Sequence, residues 1–376
     1  MQDLEILNSL AKENVPLINN HLPVGVDLAK YTIEAFCYSL KTKKYSTRSY
    51  TRDKFIEFIK NSPIPLTLAF EAGSSSHYWA RLCQNFGHEV KLISTRFVAS
   101  VNSLNKDDQK DAQLIYNSIL IHGCKTCGIK SEATQLLYMM LKLRDQLIKD
   151  RVKMSNLWQA CLYEIGEPLK GGIKQFIDHA SFIAKDEANV RPSSKEYLEN
   201  INSYALSVIK SNDCKVNEID QYIKNIALNT HECKLLMTIP AVKEFSAFCL
   251  WLSLRDIDNY KDSTHYAAHM GYAPRHRGTG GSNYNIKAGP IGNKTIKKCY
   301  FFAAMSIYRR VKKLIENEQP ENCWLHRIVK DKKGKVAICA IANKLCNVAF
   351  SMLKFNKEFD MDEFKGIYQK ESHTHS

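Results

Sequence analysis

The chain has 376 residues, of which 44% are hydrophobic and 24% are charged. That composition is typical of an ordinary soluble protein and excludes a low-complexity, disordered or fibrous chain. The 53 Lys and Arg residues outnumber the 39 Asp and Glu residues, which gives a net charge of +14. This excess favours a polyanionic partner, most often nucleic acid, although a basic protein without such a partner remains an open alternative.

The N-terminal residues show no basic segment followed by an apolar core, so we expect no signal peptide. The longest apolar stretch covers residues 245–254, which is too short to span a bilayer. We therefore predict a cytoplasmic protein without membrane attachment. The 12 cysteines are scattered and are expected to be reduced. Cys124 and Cys127 form a lone CxxC pair, which by itself does not predict a zinc site.

The first strongly patterned region contains an acid at the end of an apolar run. Residues 22–26 are mostly apolar and lead to Asp27, and residues 31–40 alternate like a second, half-buried strand. A carboxylate at the end of a buried strand is costly unless a partner such as a metal ion compensates it. The alternative is an aspartate that simply caps a turn.

The next elements repeat this arrangement. Helical spacing of apolar residues predicts a helix over residues 46–60, and residues 66–70 form another apolar run that ends at Glu71. Residues 77–86 read as a helix and residues 90–93 as a further strand. Alternating strands and helices indicate an α/β domain, whose strand-end acids would gather at one edge of the sheet.

A third acidic segment covers residues 105–113 and leads into an apolar helix. Asp108 and Asp111 are three residues apart, which places them on one face of that helix. Acids also favour the first turn of any helix through its dipole, so this segment has a purely structural explanation as well. Carboxylates gathered in one cleft repel each other, and Mg²⁺, which prefers oxygen ligands, relieves that repulsion.

From about residue 132 the pattern becomes helical. Apolar residues follow alternating three- and four-residue steps, interrupted at Asp150, and they predict a heptad seam. The seam consists of Leu136, Met140, Leu143, Leu147, Met154, Leu157 and Cys161. A second helical stretch covers residues 194–231. We predict an antiparallel coiled-coil arm, with two helices packed on a core as the alternative.

The last region combines helices with a basic, glycine-rich segment. Helices are predicted over residues 241–254, 263–270, 295–317 and 336–355, and residues 276–298 read as a loop. Glycines mixed with basic side chains suit a loop that contacts phosphates. The basic residues of this segment are Arg275, Arg277, Lys287, Lys294, Lys297 and Lys298.

Four segments, read in order, resemble the landmarks of a known family. They are GVDLAK, FEAGSSSHYWARLCQNFGHEVKLIS, NKDDQKDAQ, and IPAVKEFSAF with the following HYAAHMGYAPRHRGTGG and GNKTIKK. Together they resemble the DEDD insertion-sequence transposases, which include the Piv/MooV-type DNA invertases and the bridge-RNA-guided recombinases. The resemblance covers about residues 22–315.

The resemblance implies an α/β plus α architecture in three parts. These are a RuvC-like, RNase-H-type domain over residues 1–130, an antiparallel coiled-coil arm over residues 131–234, and a mainly helical C-terminal transposase domain over residues 235–365. It also implies that Mg²⁺ is bound by four acids, Asp27, Glu71, Asp108 and Asp111. Asp107 does not match the family pattern D-x-x-D followed by Ala.

The resemblance further implies a hydroxyl nucleophile that forms a covalent protein–DNA intermediate. The family has a serine just before a glycine at this point, whereas this chain has Thr279, and Ser282 is the nearest serine. Threonine has the same hydroxyl with an added methyl group, so attack is possible but more crowded. Donor and target DNA, a structured guide RNA and a second copy of the chain are the partners that the resemblance implies. A structure-selective nuclease and a decayed nucleic-acid-binding copy are the alternatives.

Overall fold

The computed structural model describes residues 2–102, 111–166, 192–273, 275–279, 282–286, 292–318 and 323–366, together with residues 175, 177 and 178. Contacts divide the chain into two units, Met1–Gln135 and Leu136–Ser376. The helices predicted to form the arm belong to the second unit, and the three-part division made from the sequence stays a prediction.

The first unit alternates strands and helices, as the sequence predicts. Its elements are α1 (Gln2–Lys12), β1 (Leu22–Leu28), β2 (Ile33–Ser39), β3 (Lys44–Tyr50), α2 (Arg52–Lys60), β4 (Leu66–Glu71), α3 (Ser76–Asn85), β5 (Glu89–Ile93), α4 (Thr95–Asn102), α5 (Asp111–Leu120) and β6 (Thr126–Cys127).

Within these residues the strands form a six-stranded sheet in the order β3-β2-β1-β4-β5-β6. The central pairs β1–β4 and β4–β5 are parallel, and the outer pairs are antiparallel. One face carries α2 and α3, whose Phe55 and Trp79 pack with the core of the sheet. The other face carries α4 and α5, whose Val98 and Leu114 pack with Ala69. Both faces of the central strands are therefore buried, and the acids at their ends lie at the rim.

One prediction in this unit is wrong. The helix predicted over residues 46–60 begins only at Arg52, and Lys44–Tyr50 forms the strand β3. This strand lies at the edge of the sheet and is mostly exposed, so it lacks the apolar run that marks a buried strand.

The second unit is mainly helical. Its elements are α6 (Glu132–Glu164), which begins in the first unit, α7 (Pro192–Asn229), α8 (His231–Leu236), α9 (Glu244–Leu254), α10 (Ser263–His269), β7 (Arg275–Thr279), β8 (Ser282–Ile286), α11 (Lys294–Glu316), α12 (Trp324–Asp331), α13 (Gly334–Phe355) and α14 (Met361–Lys365). A mixed α/β sheet followed by a mostly helical remainder confirms the predicted fold class at this level.

The long helices α6 and α7 are antiparallel neighbours. Two ion pairs, Arg144–Asp220 and Arg151–Asp213, connect them. Farther along, the Trp158 Nε1–H donates to Asn202 Oδ1 at 2.7 Å in a buried position. The residue numbers of the partners decrease along α7 as they increase along α6, so the two helices are antiparallel.

The predicted heptad seam coincides only in part with the face of α6 that packs here, because Met154 and Cys161 of the seam pack with the buried cluster shared with α7. Leu136, Leu143 and Leu157 are 59%, 57% and 58% exposed, whereas Trp158 and Leu162 are buried against α7. The packed face is set by the large indole of Trp158 and by the two arginines that reach α7. Apolar spacing alone could not reveal this offset, because both faces of α6 carry apolar residues.

Helix α13 is long and apolar enough to cross a membrane by length and composition, and half of its apolar stretch is buried. Ile341 and Leu345 are almost fully buried in the main helical core. Packing against the neighbouring helices of this unit therefore accounts for the apolarity of α13.

Candidate active site

Two of the predicted acids end neighbouring parallel strands. Val26 of β1 is the register partner of Phe70 in β4. Asp27 and Glu71 each follow these partners by one residue, so they occupy equivalent positions at the same ends of the two strands. Val26 and Phe70 are buried in the core under α2 and α3. Because side chains alternate along a strand, the two acids lie on the opposite face, which carries α5.

Helix α5 brings a third acid to this face. Its first residue is Asp111, and its next turn lies against Gly25 of β1. A Cβ atom on Gly25 would be 2.2 Å from the carbonyl oxygen of Ala112 and 2.4 Å from the amide nitrogen of Tyr116. Only glycine allows this approach without a shift of the backbone. The docking of α5 therefore places Asp111 beside the ends of β1 and β4.

The turn after Glu71 is held by a buried hydroxyl. Ser76 is fully buried, and its Oγ accepts from the Gly73 N–H at 3.1 Å and donates to the Gly73 carbonyl at 2.9 Å. The Ala72 N–H donates to the Ile93 carbonyl at 2.8 Å. These bonds fix the backbone on the C-terminal side of Glu71.

The three carboxylates affect one another electrostatically. Burial raises the pKa of Asp27, and the negative charge of Asp111 raises this pKa further. Burial likewise raises the pKa of Glu71, with added contributions from Asp27 and Asp111. The charges of Asp27 and Glu71 are thus destabilised by burial and by neighbouring carboxylates, which is the situation that a bound cation relieves.

A fourth carboxylate at this edge was missed from the sequence. Glu34 of β2 is the register partner of Asp27 and is half-buried. Its charge also raises the pKa of Asp27. The sequence did contain a signal for Glu34, because the tight connection between the two predicted strands sets a register that places Glu34 across from Asp27.

The donor set suits a hard divalent cation, since carboxylate oxygens are the ligands that such ions prefer. Among the residues that the structure describes, no three His, Cys, Asp or Glu side chains are already arranged as a metal-binding group. Asp108, the fourth predicted acid, and Asp107 lie outside the described residues.

The predicted nucleophile lies in the second unit, on a hairpin rather than in a loop. Residues 276–298 were predicted to be a loop, but β7 and β8 pair antiparallel and Thr279 is the register partner of Ser282. The two candidate hydroxyl residues therefore end the two strands at the same point. Gly280-Gly281, which connects them, is a residue pair favoured in two-residue hairpin connections, and this signal was missed.

Helix α11 follows this hairpin and has a well-defined start. Gly292 has a φ of +87°, and a Cβ on it would be 3.1 Å from the carbonyl oxygens of His269 and Met270. The Asn293 side chain then caps the helix by accepting from the Thr295 N–H at 2.9 Å. The backbone conformation and the close approach therefore require glycine at position 292, and Asn293 supplies the helix cap.

The basic residues predicted to contact phosphates differ in their exposure and in their contacts. Lys294 and Lys298 are exposed. Lys297 is half-buried, and its Nζ donates to the Gly271 carbonyl at 3.1 Å and lies 5.1 Å from the ring centre of Tyr272. Arg275 and Arg277 belong to β7. Lys287 lies outside the part of the chain that the structure describes.

Two transposase family models match the chain, and together they cover most of it. One, described as a DEDD transposase of the IS110 type, matches residues 24–166. The other, described as transposase IS116/IS110/IS902 family, matches residues 233–318. The chain belongs to this transposase family. The predicted enzyme class, a transposase that cleaves and rejoins DNA, is confirmed.

Curated relatives agree with this assignment over nearly their full length. The transposase is 26% identical to the transposase for insertion sequence element IS1328 of Yersinia enterocolitica, over 87% of this chain and 95% of that protein. It is 24% identical to the IS1111A transposase of Coxiella burnetii, over 88% and 89%. The pilin gene-inverting protein of Moraxella bovis is 23% identical, over 90% and 97%.

Proposed function

We propose that this transposase moves its own insertion sequence by using a Mg²⁺ site of four carboxylates and a separate hydroxyl nucleophile. The four acids would be Asp27, Glu71, Asp108 and Asp111, and the nucleophile would be Thr279. The main support is the in-register placement of Asp27 and Glu71, together with the docking of α5 that brings Asp111 to them.

The protein's contribution to the metal site is to hold negative charges together. Asp27 and Glu71 are attached to the rigid centre of the sheet, and Asp111 is attached to a helix that Gly25 allows to dock closely. When bound, Mg²⁺ would supply positive charge to the oxygens of a phosphodiester. The raised pKa values of Asp27 and Glu71 are in line with residues that need such a charge.

Thr279 would act by transesterification. Its hydroxyl oxygen forms a bond to the DNA phosphorus as its proton passes to a base or to solvent. One backbone ester bond breaks, and its oxygen leaves as a free DNA hydroxyl. The energy of the phosphodiester is kept in the protein–DNA bond, so rejoining needs no other energy source. Rejoining is the reverse reaction, in which a DNA hydroxyl attacks and Thr279 leaves.

The nucleophile is tested by trapping the covalent species on a denaturing gel with end-labelled DNA from the element. Thr279→Ala should abolish the adduct, and Thr279→Ser should keep or increase it, because the methyl group is removed. Ser282→Ala is the matched control, since Ser282 is the register partner of Thr279. An adduct that survives Thr279→Ala and disappears in Ser282→Ala would assign the role to Ser282. Strand cleavage without any adduct would favour a nuclease.

The metal site is tested by Mg²⁺-dependent stabilisation in thermal unfolding. Mg²⁺ should raise the melting temperature of the wild-type protein, because it binds the folded state, and should raise that of Asp27→Asn much less. Glu57→Gln, an exposed change on the opposite face of the sheet, is the control. Equal Mg²⁺ responses in all three proteins would contradict the assignment.

We also propose that a structured non-coding RNA selects the donor and target DNA, and that the active assembly contains at least two copies of the chain. The net charge of +14 supports a polyanionic partner. The exposed leucines of α6 support self-association, because a row of apolar residues on a helix is stabilised by a partner surface. Recombination that proceeds equally well without the RNA encoded beside the gene would contradict the guide.

A further inference from the structure

Helix α11 carries a row of basic residues on one exposed face. It has 23 residues, and seven residues separate its start from the end of β8. We call the row the α11 basic face, and all of its members are exposed. They are Lys294, Lys298, Arg309, Lys312 and Lys313.

The spacing of these residues makes them a continuous line. Lys298 follows Lys294 by four residues, and Arg309 follows Lys298 by eleven. Lys312 and Lys313 follow Arg309 by three and four residues. All of these intervals return to the same side of a helix. Lys294 and Lys313 are separated by about 28 Å along the axis at 1.5 Å per residue. That length equals about eight base-pair steps along the axis of a DNA duplex, at 3.4 Å each. Phe302, 57% exposed, lies between Lys298 and Arg309.

The charge of this face is not balanced within the helix. Helix α11 contains no acid before Glu316, its last residue. Solvent-facing helices are usually stabilised by pairs of opposite charge four residues apart, whereas here Lys294–Lys298 and Arg309–Lys313 are like-charged pairs at that spacing. Lys312 forms an exposed pair with Glu316 at 3.4 Å, which is the weak kind of ion pair that a phosphate can replace.

The start of the neighbouring helix α13 also carries basic residues. A Cβ on Gly334, the first residue of α13, would be 3.2 Å from the Tyr308 hydroxyl of α11. The start of α13 therefore contacts the side chain of Tyr308, the residue before Arg309 in α11. Lys333 and Lys335 flank Gly334 and are exposed, and α13 itself contains no acid. The start of α13 thus brings two further exposed lysines to the C-terminal half of α11.

We propose that the α11 basic face binds the phosphate backbone of double-stranded DNA over about eight base pairs of the duplex, and that it extends the phosphate contact predicted for the basic segment before this helix. This inference rests on the proposed function, movement of an insertion sequence, and on the sequence-based prediction that Lys294 and Lys298 contact phosphates. It adds Arg309, Lys312 and Lys313, which no sequence motif singled out. Double-stranded DNA is the favoured occupant because transposases act on DNA, and a straight row of charges can lie along a long duplex.

The salt dependence of binding tests this proposal. The probe is a fluorescent 30-base-pair DNA duplex, titrated with the full-length protein at several salt concentrations. The triple variant Arg309→Gln, Lys312→Gln, Lys313→Gln should lower the slope of log affinity against log salt by about 3, because each lost phosphate contact removes about 0.9. Affinity at 0.1 M salt should fall on the order of a hundredfold. Glutamine keeps the helix propensity of these exposed positions.

A matched triple variant, Lys41→Gln, Lys44→Gln and Lys60→Gln, removes the same charge from exposed positions of the first unit. Its slope should stay close to that of the wild type. The single variant Arg309→Gln should lower the slope by about 1. Equal slopes for the two triple variants would overturn the proposal. If the α11 triple variant lost affinity only for a folded RNA hairpin of equal length, the proposal would also be overturned and the face would be assigned to RNA.

The covalent-adduct assay separates this proposal from the proposed function. If the wild-type protein forms the Thr279 adduct but the slope is unchanged in the α11 triple variant, the DNA contact is wrong and the chemistry stands. If no adduct forms but the slope falls as expected, the contact stands and the chemistry is wrong.

Discussion

Gly25 lies against the backbone of Ala112, so that a Cβ on Gly25 would be 2.2 Å from the Ala112 carbonyl oxygen. The two residues belong to different elements, β1 and α5, and each is close in sequence to a predicted metal-binding acid. Gly25 is two residues before Asp27, and Ala112 directly follows Asp111. The distance between the strand and the helix therefore controls the distance between the two acids.

The contact predicts that Gly25→Ala impairs recombination. The added methyl group meets backbone atoms, so α5 must move outward and Asp111 with it. We expect a loss of stability of about 1–3 kcal/mol from overpacking, measured by urea unfolding, and a smaller melting-temperature increase on adding Mg²⁺. Gly73→Ala is the control, because a Cβ on Gly73 would be 3.7 Å from the Glu71 carbonyl oxygen, which is an ordinary van der Waals distance. Equal Mg²⁺ responses in wild type and Gly25→Ala would contradict this positioning role.

Asp27 should make the metal-free protein less stable as the pH rises. Its pKa is raised above the ordinary value of 3.8, so the folded state holds the proton more strongly than the unfolded chain does. The loss of stability caused by ionised Asp27 is absent below the pKa of the unfolded state and complete above the pKa of the folded state. Asp27→Asn should therefore increase the free energy of unfolding at pH 7 in EDTA and have little effect near pH 3. A variant that is less stable than wild type at pH 7 would refute this expectation.

The buried hydrogen bond between Trp158 and Asn202 predicts a stability effect in the paired helices. Asn202→Ala leaves the indole N–H without this acceptor in a site where both residues are at most 5% exposed. We expect a loss of about 1–3 kcal/mol in the free energy of unfolding. Ser207→Ala, an exposed change on the same helix, should cost much less. Similar urea midpoints for both variants would show that the bond contributes little.

The exposed leucines of α6 predict where copies of the chain associate. Leu157→Lys should shift the protein toward monomer in light scattering at micromolar concentration, without lowering its melting temperature as a core change would. Val152→Lys is the matched control, because Val152 is 42% exposed on the same helix but is not part of the predicted seam. If both variants associate like the wild type, the row is not the contact surface.

Much of the first unit could be predicted from local pattern. The strands that end at Asp27 and Glu71 were expected because apolar runs bounded by turn residues determine strand positions strongly. The edge strand β3 was missed because an exposed strand has no such run. Docking of α5 could not be foreseen, since it depends on contacts between residues that are nearly ninety positions apart.

In the second unit too, local pattern predicted the elements better than it predicted their packing. Helices α7, α11 and α13 were predicted within a few residues, whereas the packed face of α6 was predicted only in part. The periodicity of a helix shows that apolar residues share a face, and it does not show which face meets a neighbour.

The sequence by itself determined the family, the order of the elements and the identity of the candidate acids and hydroxyls, because motifs and hydrophobic periods are local properties. The tertiary structure alone decided that Thr279 faces Ser282 across a hairpin, that Lys297 binds the Gly271 carbonyl, and that Asp111 is brought to Asp27. These relationships are set by backbone pairing and close packing between distant segments, and no local pattern encodes them.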